Sequence, residues 1–208
     1  MEMRRSVNFG EAAAVLRECD PVLRDIIDRL GPYELDLEGN AFRALAESIL
    51  YQQLTTKAAD TITRRFTELY PHRAFPTPED VLSTSDETLR QTGISNQKVR
   101  YLKDLAARCL DGTLTPSDYA TMSDEEIIEQ LCKVKGIGRW TAEMFLIFSL
   151  GRPNVLPVDD FGVRKAVQPA YGLAELPTRA QLRELGAKWE PHCTAATWYL
   201  WRSLRPNP

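Results

Sequence analysis

No stretch of this chain alternates apolar and polar residues over a strand's length, whereas start and stop signals for helices recur from end to end. Asp20-Pro21 opens a segment that Gly31-Pro32 ends. Asn40 precedes one running through Leu50, and Thr55 or Thr56 precedes one running through Tyr70. Thr77-Pro78 and Thr84-x-x-Glu87 open two short helices, the second closed by Gly93, and Ser95 opens a long one that ends at Gly112. Ser123-x-x-Glu126 has the form of a capping box, in which hydroxyl and carboxylate each satisfy an amide at the helix start. Arg139–Leu150 carries Met144, Phe145, Leu146, Ile147 and Phe148 in a row, which predicts an almost wholly apolar helix closed by Gly151. Asp159 or Asp160 opens the next helix, ended near Gly172; Thr178-x-x-Gln181 opens another, and His192–Leu204 is the last. The pattern predicts an all-α fold of about a dozen helices of ordinary length. Gly151–Pro157, with two prolines, is the clearest linker, and no internal repeat or low-complexity segment is evident.

Composition narrows the picture. With 208 residues and 43% hydrophobic content, the chain can bury a sizeable core in one domain or two small lobes. The longest apolar run, around Met144–Leu150, is too short to span a bilayer, and MEMRRSVNFGEAAAVL lacks the apolar core of a signal peptide, so no membrane partner is expected. Cys19, Cys109, Cys132 and Cys193 are scattered without CxxC spacing, which predicts free thiols packed as small apolar groups in a reducing compartment. His72 and His192 form no metal-site pattern with them, and the clustered cysteines an iron–sulfur cluster needs are absent. A net charge of −3 argues against a long, purely electrostatic nucleic-acid surface but leaves room for a local one. Lys133, Lys135 and Arg139 flank Gly136-Ile137-Gly138 and are the expected phosphate contacts. Lys98, Arg100 and Lys103 form a second cluster, of which Lys103 reads as part of a solvated helix face, and Arg164 and Lys165 follow the Asp pair.

The most informative segment is Leu131–Ala142, LCKVKGIGRWTA. Two glycines in so short a link between helices allow a tight hairpin with positive φ and leave amides bare at a helix start, a combination suited to an anion such as phosphate. With VDDFGVRKA following a short way beyond, the segment resembles the helix-hairpin-helix motif of DNA repair glycosylases, whose catalytic aspartate lies beyond the second helix. Ala46–Ala58 (AESILYQQLTTKA) resembles that family's helix–Gln-Gln–helix segment, Gly93–Ala106 (GISNQKVRYLKDLA) its glycine, serine and lysine helix, and Trp189–Trp201 its closing helix. The similarity runs from about residue 38 to 204 and is greatest to the DNA-3-methyladenine glycosylase II subgroup, in a short form without the N-terminal β-rich domain of longer members.

This resemblance implies two helical lobes with a cleft between them: one of about residues 38–150, including hairpin 131–142, and one of about 1–37 with 151–208. It implies a monofunctional enzyme hydrolysing the N-glycosidic bond of alkylated purines. Breaking that bond builds positive charge on the sugar, which a fixed carboxylate stabilises. The catalytic role is carried over to Asp160, with Asp159 as cap or helper. Trp140 stands where bifunctional relatives have a lysine nucleophile, so no Schiff base can form there. Its indole instead suits a cationic alkylated base. Trp201 and Tyr51 are further base-pocket candidates. A base in a duplex must be flipped out, and the gap-filling side chain is expected from Gln53 or Leu54. DNA binding is assigned to Gln53, Leu54, Lys133, Lys135, Gly136, Gly138 and Arg139. The carbonyls of Cys132, Val134 and Gly136 are implied ligands of a structural monovalent cation; no other cofactor is expected. The implied partner is double-stranded DNA with a damaged base, bound by a monomer, nucleoid-associated in a bacterial cytoplasm or nuclear in a eukaryote. The alternatives are a related glycosylase for a deaminated or oxidised base, and a non-catalytic DNA-binding module.

Overall fold

A computed structural model describes residues 5–32 and 34–205. In chain order the elements are β1 (Arg5–Asn8), α1 (Gly10–Cys19), α2 (Pro21–Leu30), β2 (Glu34–Leu37), α3 (Ala41–Tyr51), α4 (Thr56–Glu68), α5 (Pro78–Ser83), α6 (Asp86–Gln91), α7 (Asn96–Leu110), α8 (Asp124–Leu131), α9 (Arg139–Phe148), α10 (Phe161–Ala170), α11 (Arg179–Gly186) and α12 (Cys193–Ser203). The fold is helical, and its helix starts are chemical. Asp20, Asn40, Thr55, Thr77, Ser95, Ser123, Asp160 and Thr178 each accept an amide of the first turn that would otherwise lack a partner. At α6 the expected cap is displaced by one residue. Ser85 accepts from the Thr88 amide at 3.1 Å, because the Thr84 hydroxyl is occupied closing α5, 2.8 Å from the Asp80 carbonyl. The two strands, not expected from the sequence, pair antiparallel from Arg5↔Leu37 to Asn8↔Glu34. Four residues each are too few for an alternation to stand out.

The chain forms two compact units. One comprises Asn40–Phe145; the other joins Met1–Gly39 to Leu146–Pro208, as far as these are described, and α9 runs from the first into the second. In the 40–145 unit, Leu45, Ile49, Leu50, Phe66, Leu89, Leu102 and Leu105 are fully buried, with α7 packed along α3 and α5. The other unit is built round α12, whose residues Cys193–Thr197, Tyr199 and Leu200 are all buried, as expected of a helix enclosed on nearly every side.

That second core contains a carboxylate. Asp20 is fully buried. It caps α2, and its Oδ2 accepts from Trp189 Nε1 at 2.8 Å and Tyr171 Oη at 2.5 Å, with Lys188 Nζ at 3.1 Å. Burial pushes its pKa up, but the three donors together with the Lys188 charge outweigh that and hold it below the usual carboxylate range. A depressed folded-state pKa adds stability above the unfolded-state value that is lost as pH falls through the folded one. Asp20→Asn is therefore expected to cost about 2–3 kcal/mol at neutral pH, since it faces an amide group toward buried donors. In thermal melts, the gap between wild type and variant should be constant above about pH 5 and shrink below about pH 4, near the ordinary carboxylate pKa. A gap that widens as pH falls would contradict this.

Candidate functional site

The link between α8 and α9 is a turn whose peptides are held by the protein one by one. Cys132 ends α8, and the Ile137 amide donates to the Val134 carbonyl at 3.1 Å. Gly136, at the third position of that turn, has φ 85°, and a Cβ there would lie 2.2 Å from the Tyr101 ring. The Lys135 amide donates to Asp104 Oδ2 at 2.9 Å, the Gly136 carbonyl accepts from Gln52 Nε2 at 2.8 Å, and the Gly138 carbonyl accepts from the Ala142 amide at 3.0 Å to begin α9. Burial raises the Asp104 pKa, but the Lys135 amide and Arg108 more than offset it, so the carboxyl sits below its usual range. Among the described residues, the amides of Gly136 and Gly138 find no acceptor within the protein. Gly138 has no positive φ, and nothing lies within 4 Å of where its Cβ would be. The chain's own packing does not require a glycine there. What the missing side chain leaves is room for something else to approach two fixed N–H groups.

The charges round this turn are not those the sequence suggested. Arg139 is held by Glu125, with Nη1 to Oε2 at 2.9 Å, and by Glu143 at 3.1 Å, so its charge is neutralised within the protein; its pKa is raised, first by the Glu125 hydrogen bond. Lys135 lies 3.6 Å from Asp104, whereas Lys133 is exposed with no ion pair among the described residues. Lys98 is half-buried and donates to the Leu50 carbonyl at 2.6 Å, its pKa lowered by burial, and Lys103 pairs with Asp86 at 2.7 Å. Arg164 donates to the Pro177 carbonyl at 2.8 Å. Of the three carbonyls proposed for a monovalent cation, those of Val134 and Gly136 already accept one N–H each, which leaves each a second lone pair. No group of three or more His, Cys, Asp or Glu residues is placed to hold a metal among the described residues. The thiols differ from expectation as well: only Cys193 is buried, while Cys19 and Cys132 are exposed.

A second exposed turn lies in the same unit, between α3 and α4. The Leu54 amide donates to the Tyr51 carbonyl at 3.4 Å, Gln52 has φ −55° and ψ 131°, and Gln53 has φ 56°. This is a type II turn, whose third position favours glycine; here it carries glutamine. Leu54, 40% exposed, is not a core residue. Tyr51 is exposed and its hydroxyl donates to Asp60, a bond that pushes its pKa up to about 12.

The two adjacent aspartates have separate surroundings. Asp160 is 8% exposed, and its Oδ1 accepts from the Val163 amide at 2.7 Å and from Trp201 Nε1 at 2.8 Å. Asp160, not Asp159, is therefore the cap of α10. Asp159 is exposed and ion-paired with Arg179. Trp201 lies flat on Phe148, centroids 5.8 Å apart at 16°. Trp140 is 46% exposed in the first turn of α9. Sequence reasoning passed over three residues: Gly162 and Phe161 beside Asp160 and, separately, Gln52 in the other unit. A Cβ on Gly162 would lie 3.0 Å from Asp160 Oδ1 and 3.1 Å from Trp201 Cδ1, so the glycine makes room for the Trp–Asp hydrogen bond. Phe161, directly after Asp160, is 62% exposed, the most exposed large apolar residue described. Gln52 reaches the hairpin. The DFG sequence was the available sign for the first two; nothing local marks Gln52.

The two hairpin glycines should separate in a stability assay. Gly136→Ala combines positive φ with a clash against Tyr101 and should cost more than about 1 kcal/mol. Gly138→Ala, with ordinary φ and open space, should melt within error of wild type. Equal losses would show that Gly138 is also needed for packing.

A model of the HhH-GPD superfamily of base excision DNA repair proteins matches residues 46–192. DNA-3-methyladenine glycosylase 1 of Schizosaccharomyces pombe is 38% identical over 79% of this chain and 72% of its own length. The structure of an S. pombe 3-methyladenine DNA glycosylase with abasic DNA is similar with a TM-score of 0.83 at 34% identity, covering 93% of this chain and 96% of that one. A Bacillus halodurans DNA-3-methyladenine glycosidase is similar with a TM-score of 0.87 at 35% identity, covering 96% of this chain and 92% of that one. The Gly-Ile-Gly hairpin and the buried aspartate thus lie within a match spanning most of the chain, which belongs to the HhH-GPD superfamily of base excision DNA repair proteins.

Proposed function

We propose that the protein is a monofunctional DNA glycosylase that removes alkylated purines by hydrolysis. The observation that carries this reading is the Asp160 carboxylate, fixed at the start of α10 by two N–H donors on one oxygen. As the base departs, positive charge grows on the sugar. A preorganised carboxylate stabilises that charge without reorganising and can orient the attacking water. Purines alkylated at N3 or N7 carry a positive charge while attached to the strand and leave as neutral bases, taking the bonding electron pair, so little acid catalysis is required. Trp140, 46% exposed, would supply an indole on which such a base stacks, and stacking combined with cation–π attraction favours it. Trp201, a base-pocket candidate from sequence, also holds Asp160 through its indole N–H. The Gly136 and Gly138 amides and Lys133 would take phosphate, which positions the duplex without reading its sequence. A monovalent cation held by the carbonyls of Cys132, Val134 and Gly136 would add positive charge for the same phosphate. The gap-filling side chain is Gln53 or Leu54, both exposed at the turn tip.

Base release from duplexes carrying alkylated, deaminated and oxidised bases tests the activity and its range together. Asp160→Asn keeps an oxygen for the cap and should lose about 3 kcal/mol or more of transition-state stabilisation, seen as near-complete loss of single-turnover excision with little change in DNA affinity. A dead Asp159→Asn beside an active Asp160→Asn would move the role one residue back. Gly138→Ala should weaken binding to damaged and undamaged duplexes alike.

The product should be an intact abasic strand. Borohydride should trap no protein–DNA adduct, because position 140 holds no amine; a trapped adduct would overturn the monofunctional reading. Trp140→Ala should slow release of 7-methylguanine more than that of neutral hypoxanthine, given stacking worth about 1–3 kcal/mol per base and an added cation–π term. Equal slowing would remove the electrostatic account of specificity.

A further inference from the structure

The turn that would displace the base and the hairpin that would hold phosphate are 84 residues apart in sequence, and one side chain joins them directly. We infer that Gln52 is a positioning residue: it sets the Tyr51–Leu54 turn in register with the phosphate-holding hairpin. The inference rests on the glycosylase reading above.

Four observations support it. The tip of the turn has little to hold it, for Gln53, Leu54, Thr55, Thr56 and Lys57 are all exposed. Its backbone is nonetheless kept in an unfavourable conformation, with a glutamine at φ 56° where glycine would be at ease. Such conformations persist when the surroundings over-determine them, and Gln52, the residue before, is tied at both ends. Its amide donates to the Ile49 carbonyl at 3.3 Å and its side chain to the Gly136 carbonyl at 2.8 Å. Third, Gly136 is itself a rigid anchor, pinned beneath Tyr101, whose hydroxyl accepts from Gln97 Nε2 at 2.5 Å.

Finally, the long helix α7 braces both loops from one face. Lys98 reaches the Leu50 carbonyl at the end of α3, Tyr101 covers Gly136, and Asp104 takes the Lys135 amide. These three residues stand three apart, along one side of the helix. The hydrogen bonds of the brace hold the hairpin and the root of the turn at Leu50. Gln52 joins the turn itself to the hairpin. A side chain entering a base stack must arrive at the height set by the phosphates on either side, and small misplacements are costly for such steps.

The test is single-turnover excision by Gln52→Met, similar in length but without a donor, and by Gln52→Asn, which keeps the amide but is one methylene too short. Each is assayed on the same lesion in an ordinary base pair and in a mismatch where the lesion is already unpaired. Both variants should fold as wild type in a thermal melt, since Gln52 is only half-buried. Both should slow excision of the paired lesion about tenfold and that of the unpaired lesion less than twofold, because in the mismatch unpairing is already done. Combined with Leu54→Ala and Gln53→Ala, Gln52→Met should add almost no further loss, as expected of groups acting through one turn. Equal slowing on both substrates, no slowing on either, or full additivity with the tip substitutions would overturn the inference. Absence of base release by the wild-type protein from every substrate would instead remove the glycosylase reading beneath it.

Discussion

One oxygen of Asp160 organises the helix start on which the proposed chemistry depends. Oδ1 accepts the Val163 amide, which starts α10, and the Trp201 indole N–H, which ties that start to α12. The residue's own amide donates to the Pro157 carbonyl at 2.9 Å, so the approach to the helix is held as well. The surroundings are shaped to fit. Gly162 is bare because a Cβ would press on both partners, and Phe148 supports the face of Trp201. A carboxylate restrained in this way, at a helix N-terminus whose dipole favours negative charge, stands ready to meet positive charge without rearranging. Helix capping and the proposed chemistry then follow from the same geometry.

The hairpin proposed to meet DNA follows a different rule. The protein is net negative, and several of the cations near the hairpin are engaged internally, Arg139 by Glu125 and Glu143, and Lys98 by the Leu50 carbonyl. Alongside Lys133, the Gly136 and Gly138 amides are the donors left without an acceptor among the described residues, while neighbouring peptides are committed to Asp104, Gln52 and Val134. Main-chain donors have fixed directions and carry no base information, which suits a protein that must engage any sequence.

Helix starts were legible because a cap is a local event. Asn40, Ser95, Ser123 and Thr178 announce themselves within four residues, and the structure uses each as read. The exceptions arise where a side chain has a competing partner. Thr84 closes α5 and leaves the cap of α6 to Ser85. Asp159 turns to Arg179, and Asp160 takes the cap. Arg139 beside a glycine hairpin reads as a phosphate contact, yet Glu125 is 14 residues earlier and no local pattern predicts their meeting. The strands escaped notice because each is stabilised only by the other. Two hairpin glycines look alike in sequence, but Gly136 answers to positive φ and Tyr101, whereas nothing among the described residues lies within 4 Å of where a Gly138 Cβ would be. Gln52 was invisible for the same reason as Arg139: its significance lies in a residue 84 positions away.

The central claim is that Asp160 serves as the charge partner of a sugar that becomes cationic. The most direct measurement compares affinities for two duplexes, one with a cationic pyrrolidine nucleotide at the lesion site and one with its neutral tetrahydrofuran counterpart. Wild type should bind the cationic duplex more tightly, as catalysis by differential binding requires. Asp160→Asn should bind both duplexes alike while keeping its affinity for the neutral one. An undiminished preference for the cationic duplex in the variant, or no preference in wild type, would contradict the account.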